Sequence, residues 1–164
     1  MVKDSANEVK LRIYRHRGWE YILCDEDHTA WISRGRVGRR RKLRVSDHVV
    51  VDGVRYTVTM IENDAFKISY KLRHIRIPDS IFSVGTYSLW MFPNLRSISL
   101  GAGVERVESG LFFLNRRQTV YLNKRNPYIK IQNDCILTSD GRNLLSGLPG
   151  CAAYNIPRRR ADNK

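Results

Sequence analysis

Four histidines, three cysteines and one dense basic run are the residues from which chemistry would have to be made. His16, His28, His48 and His74 are spread over four segments with no pair at i and i+4. The HExxH arrangement that sets two imidazoles on one helix face for zinc is therefore absent from the sequence. No GxSxG elbow, no GxxxxGK[ST] phosphate loop and no GxGxxG follows a strand pattern. Gly101-Ala-Gly103 lacks the third glycine, and the sparse carboxylates suggest no general acid and base pair. The reading is a non-enzymatic chain with no cofactor and no metal.

Cys24, Cys135 and Cys151 are odd in number, widely spaced and without a CxxC pair. Two states stay open: reduced thiols buried as small apolar side chains, or a bridge between Cys135 and Cys151.

The basic run is the densest chemical feature. Arg34, Arg36, Arg39, Arg40, Arg41, Lys42 and Arg44 crowd residues 34–44 with no acid among them, and Gly35 and Gly38 loosen the backbone. Self-repulsion favours an extended, solvated loop. Such a loop either grips phosphates, because each cation that neutralises one releases counterions, or simply links two strands at the surface. Arg36, Arg39, Arg40, Arg41, Lys42 and Arg44 are the polyanion-binding candidates. No aromatics interleave with them, so base stacking is not indicated.

The totals frame these residues. Over 164 residues, 29 basic against 16 acidic side chains leave +13 and an isoelectric point near 10.1, a bias toward polyanions. A hydrophobic share of 42% is that of a folded chain with a core. No apolar run is long enough to span a bilayer, and the polar start carries no secretory signal as written, which alone would read as cytoplasmic.

What positions the polar residues is a pattern written twice between Ile61 and Val107 at an offset of 23 residues. Ile61 recurs as Val84 and Val107, Phe66 as Leu89 and Phe112, Leu72 as Leu95, Ile75 as Ile98, and Ile77 as Leu100. The third copy reaches Val120 after a step of 22. A fixed apolar period of this length means units that bury their faces only against neighbours. Each Leu-x-x-Ile-x-Ile run suits a short strand, and each Ala-Phe position a short helical turn.

Before the repeats the text is β. Val9, Leu11 and Ile13 alternate with Lys10 and Arg12, strands are expected near residues 19–23 and 30–33, and Asp52-Gly53 between two β-branched runs predicts a type I′ hairpin. The expected division is a poorly ordered lead at 1–8, an N-terminal antiparallel β module at 9–59 that caps the stack, repeats at 60–157, and a basic tail at 158–164.

The pattern Ile-Gly-x-x-Ala-Phe, a six-residue gap, then Leu-x-x-Ile-x-Ile-Pro resembles the leucine-rich repeats of the BspA, or Treponema pallidum, type. Residues 52–58 are similar to that family's lead-in hairpin, residues 126–145 to its hairpin insertion, near 128–147 here, and Tyr154-Asn-Ile156-Pro157 to the start of a further repeat. Glu62 and Glu108 depart from the family glycine that Gly85 supplies, and Leu89 replaces an aromatic. The resemblance implies an α/β repeat fold: a short right-handed solenoid with a parallel concave sheet, secreted or at the cell surface, binding a protein or glycan surface ligand without catalysis.

If Leu72, Ile75 and Ile77 point inward, alternation sends His74 and Arg76 outward. The same register sets Ser97 and Ser99, then Thr119 and Tyr121, in matching columns. These six are the candidate binding face. Arg116, Arg117, Lys124, Arg125 and Arg158 to Arg160 extend the basic surface, whose role is either polyanion or nucleic-acid binding or solubility. A third reading is an intracellular assembly component.

Overall fold

The computed structural model describes residues 10–89, 92–108 and 118–148. The leading segment 1–8, Val9, Leu111, Phe112, Arg116, Arg117, Cys151, residues 154–157 and Arg158 to Arg160 lie outside the described residues.

Three strands open the chain: β1 (Leu11–His16), β2 (Trp19–Cys24) and β3 (Thr29–Gly35). They pair antiparallel, with Tyr14 opposite Tyr21 and Tyr21 opposite Ile32. The tight β1–β2 connection turns on Arg17 and Gly18, both at positive φ. In β1 the apolar residues are not the inward ones: Leu11 and Ile13 are 46% and 59% exposed, while Tyr14 packs against the core. The polar alternative wins because Arg12 finds partners on that side. Its Nε donates to the Asp25 carboxylate at 3.0 Å and its Nη2 to the Tyr56 hydroxyl at 2.9 Å.

The basic run departs from the solvated loop its charges suggest. Arg34 and Gly35 end β3, and Lys42–Arg44 form β4. The reason is the apolar residues among the cations: Val37, Leu43 and Val45 are all buried, and their burial outweighs repulsion between side chains that stay in water. Gly35 lies under two rings, since a Cβ there would come within 2.8 Å of both Phe66 and Trp19. Next comes the hairpin of β5 (His48–Val51) and β6 (Val54–Ile61). Asp52 at φ 53° and Gly53 at φ 80° make the expected turn.

From here the chain alternates between two parallel ladders. One is formed by β3, β6, β8 (Ser83–Val84) and β10 (Arg106–Val107), with Ile32, Ile61, Val84 and Val107 in register. With β1, β2 and β5 it makes a seven-stranded sheet. The other is formed by β4, β7 (His74–Arg76), β9 (Ser97–Leu100) and β11 (Thr119–Leu122), with Leu43, Ile75, Ile98 and Val120 in register. The core fills the space between them, where Phe66, Leu72, Leu89, Phe92 and Leu95 are fully buried. Isoleucine and valine recur here because β-branched side chains suit the pleated ladder.

Among the described residues there is no helix, which corrects the α/β class. At the first expected helical turn the hydrogen bonds run to the next unit instead, whereas at the second Ser88 N–H donates locally to Gly85 O at 3.3 Å. Asp64 N–H donates to Thr86 O, and Asn63 Oδ1 accepts from Thr86 N–H at 2.8 Å. Gly101 marks how closely units nest, because a Cβ there would lie 2.4 Å from Pro78 O.

After the last ladder strand, β12 (Ile129–Gln132), β13 (Cys135–Thr138) and β14 (Leu144–Gly147) form a separate antiparallel sheet, one strand more than a hairpin. Asn126 ties it to the repeats: its side-chain nitrogen donates to Gly101 O and Val104 O, and its oxygen accepts from Tyr128 and Ile129 N–H.

Candidate functional site

Parallel pairing decides which side chains share a surface. In register across the second ladder lie Lys42, His74, Ser97 and Thr119 in one column and Arg44, Arg76, Ser99 and Tyr121 in the next. Between them Leu43, Ile75 and Ile98 are buried. Strand alternation thus sends both polar columns to the opposite, outer face. His74, Arg76, Thr119 and Tyr121 are exposed, and Ser97 and Ser99 half-buried. The structure therefore brings all six candidate face residues together on one sheet.

Lys42 and Arg44 join them, although in the sequence they belong to the basic run of residues 34–44. The 23-residue spacing does not find them, because the β5–β6 hairpin is inserted after their strand and stretches the step from Leu43 to Ile75 to 32 residues. A local echo was nonetheless present. Leu43-Arg-Val-Ser-Asp47 matches Ile75-Arg-Ile-Pro-Asp79 in type at four of its five positions, all but Ser46 against Pro78.

The columns are held from below by backbone bonds. Arg41 O accepts from the N–H groups of Arg73 and His74, and Val45 N–H donates to Arg76 O. Within the first column, His74 Nδ1 and Ser97 Oγ are 2.7 Å apart. At the end of the second, Asp79 bridges neighbouring units. Its carboxylate accepts from Ala102 N–H at 2.7 Å and from Asn123 Nδ2 at 3.2 Å, with Arg125 at 3.5 Å. The Ala102 hydrogen bond chiefly, then Asn123 and the charges of Arg125 and Arg76, hold this carboxyl below the usual carboxylate range. An ionised Asp79 beside Arg76 gives the face a fixed negative point among its cations.

Two shallow clefts open along the columns. One, of about 610 Å³, is lined by Arg44, Ser46, Asp47, Arg76, Asp79 and Ser80 among others. A smaller one follows Arg76, Ser99 and Tyr121 toward Asn123. Tyr121, 58% exposed, offers the face its one large ring. The remaining basic candidates, Arg36, Arg39, Arg40 and Arg41, are exposed, with Arg36, Arg39 and Arg40 lining a cleft beside Arg17 of the β1–β2 turn.

Among the described residues no three His, Cys, Asp or Glu side chains are grouped to hold a metal ion. No helix there is long and apolar enough to cross a membrane. Cys24 is a free, buried thiol, whereas Cys135 is disulfide-bonded, which decides for the oxidised alternative at that residue.

Comparison with known proteins adds the following. The sequence profile of the BspA-type leucine-rich repeat region matches residues 53–140 in six copies. A leucine-rich cell surface protein from Faecalibacterium prausnitzii is similar in structure, with a TM-score of 0.57 and 18% identity over 68% of this chain and 31% of that one. This chain thus spans under a third of that protein's length. A leucine-rich repeat protein from Bacteroides capillosus aligns over 68% of this chain and 98% of its own, at 16% identity and a TM-score of 0.44. No curated protein matches significantly.

Proposed function

The chain belongs to the BspA-type leucine-rich repeat family, and from that premise we propose that it is a non-enzymatic binding module for a protein or surface glycan. Its ligand lies across the β4, β7, β9 and β11 face. The observation that carries this reading is the register itself, which sets eight polar side chains in two columns over a buried apolar layer. A repeat sheet of this kind offers one extended surface. The coils wind right-handed, as parallel strands joined through a crossover almost always do, and the face is concave. Residues 9–59 close one end of the repeats at 60–157. A location outside the cell, secreted or at its surface, is supported by the bonded Cys135 and by the cell-surface description of the Faecalibacterium neighbour.

The test is affinity capture from the source cell at two salt concentrations, repeated with Arg76→Ala, Ser99→Ala and Tyr121→Ala combined. Capture is expected to fall by tenfold or more, on the order of the few residues that dominate an interface. Unchanged capture by the triple variant sinks this choice of face.

A second reading, binding of nucleic acid or another polyanion, is favoured by one observation: β4 carries Lys42 and Arg44 onto the same face, next to exposed Arg36, Arg39, Arg40 and Arg41. It requires retention on heparin or DNA that collapses with salt and with neutralisation of Arg39, Arg40 and Arg41.

A further inference from the structure

We propose that the free edge of β4 accepts an additional strand from an acidic segment of a partner protein. The two sheets are unequal at the N-terminal end. Beyond β3 the larger sheet continues with β2 and β1, while the smaller stops at β4. The inner face of β2 therefore overhangs a position that no described strand occupies.

That position is a cleft of about 280 Å³. Trp19 and Tyr21 line it from β2, and Arg40, Lys42, Arg44 and Ser46 from the other side. The two rings stack with centroids 6.3 Å apart. Trp19 also makes an edge contact with Phe66 at 5.8 Å, so the floor of the cleft is aromatic.

The backbone of β4 is set up for pairing on this side. In a strand, the N–H and C=O of successive residues point alternately left and right. Arg41 O and Val45 N–H are both bonded toward β7. Lys42 and Arg44, out of phase with them, aim their N–H and C=O groups at the cleft. Among the described residues β7 is the strand partner of β4, and the sheet ends there. An extended segment laid along this edge would satisfy the backbone groups and rest alternate side chains on Trp19 and Tyr21, which is strand addition.

Charge selects the occupant. Arg40, Lys42 and Arg44 favour carboxylates on the incoming strand. A second copy of this chain pairing β4 with β4 would set Lys42 and Arg44 against their own kind, a destabilising arrangement that protects edges from self-association. A nucleic acid would meet the cations but has no ladder of N–H and C=O groups to match the edge. The site shares Lys42 and Arg44 with the sheet face, but its β4 backbone groups and β2 rings are not used by a ligand on that face.

The experiment titrates the full chain, at low and moderate salt, against a labelled synthetic peptide of alternating glutamate and threonine, read by fluorescence anisotropy. Comparators are the same peptide N-methylated at alternate backbone nitrogens, which keeps every charge but loses donors, and an oligothymidylate of equal charge. The unmodified peptide is expected to bind about tenfold or more tightly than the N-methylated one, as loss of one or two hydrogen bonds implies. Arg44→Glu, at an exposed side chain whose circular dichroism should match the parent, is expected to abolish binding. The Arg76, Ser99 and Tyr121 triple variant is expected to leave it unchanged, which separates this proposal from the face reading. Equal binding of the N-methylated peptide, preference for the oligonucleotide, or no peptide binding at low salt overturns it.

Discussion

At Tyr56 a single hydroxyl joins three parts of the chain. The ring is 2% exposed. Its hydroxyl donates to Asp25 Oδ1 at 2.5 Å and accepts from Arg12, linking β6 to the β2–β3 turn and to β1. The Tyr56 hydrogen bond, then Arg12, lowers the Asp25 pKa below its ordinary 3.8. A carboxyl whose folded pKa is depressed stabilises the fold above its unfolded pKa, and the contribution is lost as pH falls through the folded value. Tyr56→Phe is therefore expected to cost about 1 kcal/mol near neutrality. The gap from the parent should shrink as urea midpoints are measured from pH 6 down past 3.8. A constant gap across that range would show that Asp25 takes no part. None of this was legible in the sequence, where the alternation of Val9, Leu11 and Ile13 with Lys10 and Arg12 reads only as a half-buried strand. Alternation reports which residues differ, not which set finds partners, and here the polar set had Asp25 and Tyr56 waiting.

Individual elements divide by how local their causes are. The Asp52-Gly53 hairpin was readable because two adjacent residues decide the turn. The ladders at Ile61, Val84 and Val107 and at Ile75 and Ile98 were readable because an apolar period of 23 is a global constraint written locally. The expected helical turn near Phe66 was not realised. Bonds such as that from Asp64 N–H to Thr86 O run to the next unit, and a window of sequence contains no information about that competitor. Strand β4 was hidden twice, by the charges around Leu43 and by the hairpin that displaces it from the period. This makes Leu43 the decisive position. As a buried anchor of β4 it should cost about 2–4 kcal/mol when replaced by alanine. A residue in a solvated loop would change stability by less than about 0.5 kcal/mol. Thermal unfolding of Leu43→Ala beside Lys42→Ala distinguishes the two, and equal, negligible shifts would return this stretch to a loop.

Over the whole molecule, stability is distributed unit by unit, because each coil buries its face against the next. The ends of such a stack are its weak points, and at one of them β12, β13 and β14 pack beyond the last ladder, with Cys135 fully buried and disulfide-bonded. Cys24 is free, and we propose Cys151, which lies outside the described residues, as the partner of Cys135. A bridge closing a short loop stabilises mainly by restricting the unfolded chain, about 3 kcal/mol for a loop of some fifteen residues. Mild reduction is therefore expected to lower the thermal midpoint by several degrees and to speed proteolysis at the C-terminal sheet before the ladders. Non-reducing peptide mapping should recover the Cys135 and Cys151 peptides joined, with Cys24 alkylated only after unfolding. If Cys135 instead reacts with iodoacetamide in the native, unreduced protein, the bridge is not what holds that end. The case for a location outside the cell then loses its chemical support, because a chain kept in a reducing compartment would have no use for such a bond.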